Sequence, residues 1–154
     1  MPDPRGDSWD ARRLADILRD LAADRPLSIR VSGVCMAPRI ADGAMVQITA
    51  GRYYWPGDVL VFVAADGRMT AHRLVGALGW GASLRLFTRA DRGTGLDAAI
   101  RYRDVVGRVV GGECAREIAR VPLTERGSAL LGFVKFALRR AFVRLTTTSL
   151  RPGR

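Results

Sequence analysis

The hydrophobic pattern changes period twice along the chain. Residues 9–23, "WDARRLADILRDLAA", place Trp9, Leu14, Ile17, Leu18 and Leu21 at helical spacing. Asp7 or Ser8 can cap this helix and Pro26 stops it. A single short helix leaves no room for the two packed helices and turn of a helix-turn-helix. From Leu27 the period is two: Leu27, Ile29 and Val31 share one face of "LSIRVS", with Ser28, Arg30 and Ser32 on the other. Further strands are predicted at 45–49, 58–64, 69–77, 83–90 and 104–111. They are punctuated by "ADG" (41–43), "WPGD" (55–58), "ADG" (65–67), "GWG" (79–81) and "RGTG" (92–95). Many short strands so spaced predict a mostly β fold, a coiled antiparallel sheet or partly closed β-barrel.

Near the C-terminus the helical period returns. In "ALLGFVKFALRRAFVRL" (129–145), Leu130, Leu131, Val134, Leu138, Ala141, Phe142 and Leu145 form one stripe, with Lys135, Arg139, Arg140 and Arg144 elsewhere. A basic amphipathic helix suits an anionic membrane surface; docking on the β-domain is the alternative. The predicted organisation is an N-terminal helical extension (1–26), a β domain (27–122) and a C-terminal helix with its tail (123–154).

Composition narrows the chemistry. The chain has 154 residues and a net charge of +10, yet of its 25 basic residues only Lys135 is lysine, and it contains no asparagine. Such bias is what GC-rich codon usage produces, so charge alone says little about nucleic acid. Two cysteines, Cys35 and Cys114, and one histidine, His72, give neither a disulfide framework nor metal-ligand spacing. No metal or cofactor is expected. The polar, acidic N-terminus has no export signal, and no segment offers 18 uninterrupted apolar residues, so a cytoplasmic protein is the expectation.

Catalysis near neutral pH most often uses histidine as the base, which singles out His72 in "MTAHRLVG". Cys35, in "VSGVCMAPRI", is either a small buried hydrophobe or a nucleophile activated by a neighbouring base. Asp91 and Asp97, in "TRADRGTGLD", are the acids available to orient that base. Loop aspartates are also common turn residues.

The blocks "GVCMAPRIADGAMV", "YWPGDVLVF", "AHRLVG", "TRADRGTGLD" and "DVVGRVV" stand in an order that resembles the signal-peptidase and self-cleaving-repressor superfamily of serine peptidases. The likeness runs from about Val31 to Gly112. That family shows Gly-x-Ser-Met-x-Pro, a Gly-Asp-hydrophobic strand, a basic strand residue, a Lys-Gly-Asp-type loop and a Gly-Arg-Val strand. His72 stands where the basic residue falls, so the resemblance is to the histidine-base, archaeal and endoplasmic-reticulum branch. It implies a β fold of the signal-peptidase type and a peptidase. By position, Cys35 replaces the nucleophilic serine, His72 is the base, Asp97 supports it and Asp91 matches the loop aspartate. Gly33, Met36 and Pro38 keep the frame around the nucleophile, on the substrate side, and the Cys35 N–H is an oxyanion donor. Departures are the Ser-to-Cys change, Arg39 in the threonine position and "TRAD" without its loop glycine.

The implied partner is a peptide or precursor protein, paired as an added strand at an exposed sheet edge near Cys35. The aromatic run Tyr53–Tyr54–Trp55 is expected on a substrate- or membrane-facing surface, or in simple packing. Two other functions fit the same residues. One is a non-catalytic peptide-binding module of this fold. The other, motivated by charge alone, is a nucleic-acid binder.

Overall fold

Helix α1 spans Pro4–Asp24, and the strands are β1 (Leu27–Arg30), β2 (Met45–Thr49), β3 (Val59–Val63), β4 (Met69–Leu78), β5 (Arg85–Arg89), β6 (Ile100–Arg101) and β7 (Val105–Gly112). The computed structural model describes residues 4–64, 66–113, 123, 124, 126, 127, 130, 131, 133, 134 and 138. The fold is mostly β. One seven-stranded antiparallel sheet, in the order β1-β2-β7-β3-β4-β5-β6, curls into a half-barrel with β1 and β6 at its free edges. Register shifts at Gln47/Ile48, Val61/Phe62 and Leu74/Gly76 increase local twist and curl the sheet.

Strand β3, "VLVFV", is buried at every position, so its run is continuously apolar rather than alternating. Its two faces feed two cores. Val59, Val61 and Val63 join Val46, Ile48, Val106, Val109 and the loop residues Met36 and Ile40. Leu60 and Phe62 join Leu74, Leu86 and Val105.

Helix α1 differs from its prediction in two ways. It begins at Pro4, where a proline is tolerated in the first turn, so Asp7 and Ser8 lie inside it. Its buried positions are Ala15 and Ala22, with only Leu18 of the predicted stripe half-buried beside them, while Leu14, Ile17 and Leu21 stay exposed. Small side chains let the helix approach the sheet closely. There Arg19 donates from Nε to the Val105 carbonyl at 2.8 Å and from its terminal nitrogen to the Arg103 carbonyl.

The described residues between 123 and 138 have helical backbone. All four predicted basic positions, Lys135, Arg139, Arg140 and Arg144, lie outside the described residues, as do Ala141, Phe142 and Leu145 of the apolar stripe and Cys114. Among the described residues of this segment, the buried apolar contact with the sheet is made by Phe133 rather than by the stripe residues. Phe133 is buried against Val75 and Phe87, with ring centroids 5.4 Å apart in the Phe pair. Gly76 makes this possible, because a Cβ there would sit 2.4 Å from the Phe133 ring. Leu130, Leu131, Val134 and Leu138 remain exposed. Among the described residues no helix is long and apolar enough to cross a membrane.

Candidate functional site

The register of β4 against β3 pairs His72 with Leu60 and Thr70 with Phe62, which turns the imidazole toward the Leu60–Phe62–Leu74 face. The Phe62 ring meets it edge-on, with centroids 6.1 Å apart. Nδ1 of His72 lies 2.7 Å from Oδ2 of Asp97. An ionised carboxylate can only accept, so Nδ1 carries the hydrogen and Nε2 is the nitrogen left to take a proton.

Asp97 is itself held twice by β5. Thr88, fully buried, donates from Oγ1 to the same Oδ2 at 3.1 Å. The Asp97 N–H donates to the Thr88 carbonyl at 2.9 Å. Thr88 pairs with Leu74 across the β4–β5 ladder, which places its hydroxyl on the face of His72. Nothing local marks Thr88 as functional, although the alternation of "SLRLFTRA" puts it on the side of Leu86 and Leu84. The result is a chain of three groups, Thr88–Asp97–His72, in the geometry that orients a base.

The second acid does something else. Asp91 forms a two-pronged ion pair with Arg73, Nε to Oδ1 at 2.7 Å and Nη2 to Oδ2 at 2.6 Å. The third arm of Arg73 donates to the Gly57 carbonyl at 2.7 Å. Both side chains are nearly buried. The tie joins the β5–β6 loop to β4 and to the turn before β3. Of the two acids, Asp97 contacts the imidazole and Asp91 anchors the loop.

Cys35 sits in the irregular segment 31–40 between β1 and β2. The segment is pinned at both ends: Val31 exchanges backbone bonds with Gly43 and Ala44, and Gly33, at φ +96°, donates to Oδ1 of Asp42 at 2.8 Å. The aspartate of "ADG" therefore closes the Cys35 loop. Met36 and Ile40, both fully buried, plug that loop into the core. Met36, expected on the substrate side, instead holds the loop from inside, because its unbranched side chain fills the cluster under α1 and β2. Pro38 is exposed and follows a cis peptide bond.

The Cys35 carbonyl accepts from the Arg92 N–H at 3.0 Å, which docks the Cys35 loop on the loop that carries Asp91 and Asp97. Cys35 is half-buried and packs against the core cluster that holds Val59, Val61 and Met36, whereas His72 faces the cluster of Leu60, Phe62 and Leu74. Among the described residues no hydrogen bond joins it to His72. The structure thus brings His72, Asp97 and Thr88 together and ties the Cys35 main chain to the same loop.

A cleft of about 640 Å³ opens beside the imidazole, within the range of small-ligand sites. His72, Asp97, Thr70 and Phe62 line it together with Arg12, Arg85 and Arg101. Cys35 is not among its lining residues. The three arginines were not singled out from sequence, since nothing distinguishes them there from the other arginines of the chain. The aromatic run divides: Tyr54 packs on Tyr102 with centroids 5.6 Å apart, while Tyr53 and Trp55 are exposed. Among the described residues no group of three or more His, Cys, Asp or Glu side chains is placed to hold a metal ion. No family model and no curated protein matches the chain.

Proposed function

We propose that this protein is a signal-peptidase-like endopeptidase that cleaves a peptide or precursor protein through Cys35, His72 and Asp97. The observation that carries the reading is the His72–Asp97 contact of 2.7 Å, made by the chain's only histidine. A histidine whose Nδ1 is fixed by a carboxylate, itself fixed by a buried hydroxyl, presents Nε2 in one orientation, as a general base requires. Two further features support it. Edge strand β1 runs directly into the Cys35 loop, where an extended substrate could add as a further strand. The Cys35 N–H makes no backbone hydrogen bond among the described residues, as expected of an oxyanion donor.

In the reaction, Nε2 of His72 takes the thiol proton and Sγ attacks the scissile carbonyl carbon. The C–N bond breaks, and the amine departs with the proton from His72. Water, deprotonated by the same nitrogen, then hydrolyses the thioester and restores the thiol. Cys35 and His72 must approach for the first step, and relay hydrogen bonds commonly tighten only in the substrate complex.

A second reading is the peptide-binding module without hydrolysis, favoured by the seat of the thiol against the core cluster. A peptide library scored by mass spectrometry separates the two. The peptidase reading expects new termini with the wild type and with Cys35→Ser, and none with Cys35→Ala. No cleavage by any form, or equal cleavage by Cys35→Ala, overturns it.

A further inference from the structure

The cleft beside His72 concentrates positive charge. Arg85 on β5 and Arg101 on β6 line it, and they are direct partners across the ladder. Like charges directly opposite weaken a strand pair, and this one sits at the sheet edge on the shortest strand. Arg85 donates from Nη1 to the Ala82 and Leu84 carbonyls, which fixes the direction of its guanidinium. Arg12, exposed on α1, adds a third charge. The two carboxylates of the cleft are already engaged. Asp97 accepts from His72 and Thr88, and Asp104 accepts from the Arg101 N–H at 3.2 Å.

We propose that this cleft recognises an acidic segment of a peptide, seating Asp or Glu side chains between Arg85 and Arg101. The proposal names the substrate class of the peptidase reading and rests on it for the peptide nature of the ligand. Guanidinium groups bind carboxylates through paired N–H donors, and an anion between two arginines relieves their mutual repulsion. The lining favours a peptide over nucleic acid. Phe62 is 4% exposed and offers no plane for base stacking. Asp97 and Asp104 interrupt the positive lining, which fits the separated carboxylates of a peptide better than the unbroken charge of a phosphate backbone. Residues 97–101 line the cleft as one consecutive stretch that runs from Asp97 to Arg101.

The test is binding by the full chain carrying Cys35→Ala, read by fluorescence anisotropy so that turnover plays no part. The probes are a labelled alanine/glutamate decapeptide and its alanine/glutamine isostere. The glutamate peptide is expected to bind about tenfold more tightly, the effect of one charge-assisted pair. R85Q/R101Q should erase that preference, and Arg68→Gln, at an exposed turn, should keep it. Removing two facing charges relieves repulsion, so R85Q/R101Q is expected to fold, which circular dichroism checks. Equal affinity for the two peptides overturns the proposal, as does a preference that survives R85Q/R101Q. Displacement of the peptide by single-stranded DNA at lower concentrations than by unlabelled glutamate peptide also overturns it, assigning the cleft to nucleic acid. A peptidase indifferent to acidic residues would fail here and still pass the library assay, so the two failures are distinguishable.

Discussion

Replacing Asp91 by alanine should be among the most destabilising single changes in this protein. The carboxylate receives both prongs of Arg73 at 2.7 and 2.6 Å, and the two side chains are 11% and 6% exposed. Asp91→Ala leaves a guanidinium in that setting with only the Gly57 carbonyl as partner. Removing one member of a buried pair costs about 3–5 kcal/mol, because the surviving charge stays desolvated. For a chain of this length each kcal/mol lowers Tm by about 2–4 °C, so the fall should be about 6–20 °C. Thermal unfolding followed by circular dichroism reads it directly. The double change Arg73→Met with Asp91→Leu removes both charges and should recover most of the loss, since well-packed apolar replacements of buried pairs are often neutral. Asp97→Asn is the control. Asp97 is 31% exposed and its partner is an imidazole, so the cost should stay at about 1 kcal/mol. A Tm within about 2 °C of wild type for Asp91→Ala would refute the assignment of Asp91 as the loop anchor.

Other expectations follow from packing and ionisation. Gly76→Ala drives a Cβ into the Phe133 ring and should cost about 1–3 kcal/mol; combined with Phe133→Ala the two effects should be far from additive, which chemical denaturation of the four proteins measures. Tyr54 and Tyr102 have pKa values raised above the ordinary 10.0, in both cases chiefly by burial. The neutral phenols are therefore favoured in the folded state. Their contribution is intact below pH 10.0 and is lost as pH rises through the raised values, so urea midpoints should drop at high pH, and less so in Tyr54→Phe/Tyr102→Phe. Tyr102→Phe alone removes a hydroxyl that donates toward the Gly51 and Arg52 carbonyls and should cost about 1 kcal/mol near neutral pH, read from the same titrations.

The parts of this protein that follow local rules could be read from its sequence. Six of the seven strands lie where alternation and turn residues predict them, and β3 is recognisable as a dense apolar run. Strand β6 is two residues long and too short to show a period. The face by which α1 packs departs from its hydrophobic pattern because close approach to β7 selects Ala15 and Ala22, whereas hydrophobicity alone selects the leucines. His72 stood out as the only histidine. Which acid it meets depends on the β4–β5 register and on how the 90–99 loop folds back, and no local pattern encodes that. The role of Asp91 was hidden for the same reason, since its partner Arg73 is one among many arginines. Phe133 reaches the sheet only because residue 76, far away in sequence, has no side chain. The cleft arginines became visible only once two strands placed them opposite each other.

The relay proposed for Cys35, His72 and Asp97 is tested most directly by the alkylation rates of the two cysteines at pH 7, resolved by mass spectrometry. Only a few per cent of an ordinary thiol is ionised at that pH, so a base that takes the proton raises reactivity. Cys35 should label faster than Cys114 in the wild type, and His72→Ala should slow Cys35 while leaving Cys114 unchanged. Equal, slow labelling of both thiols, unaffected by His72→Ala, would contradict the relay.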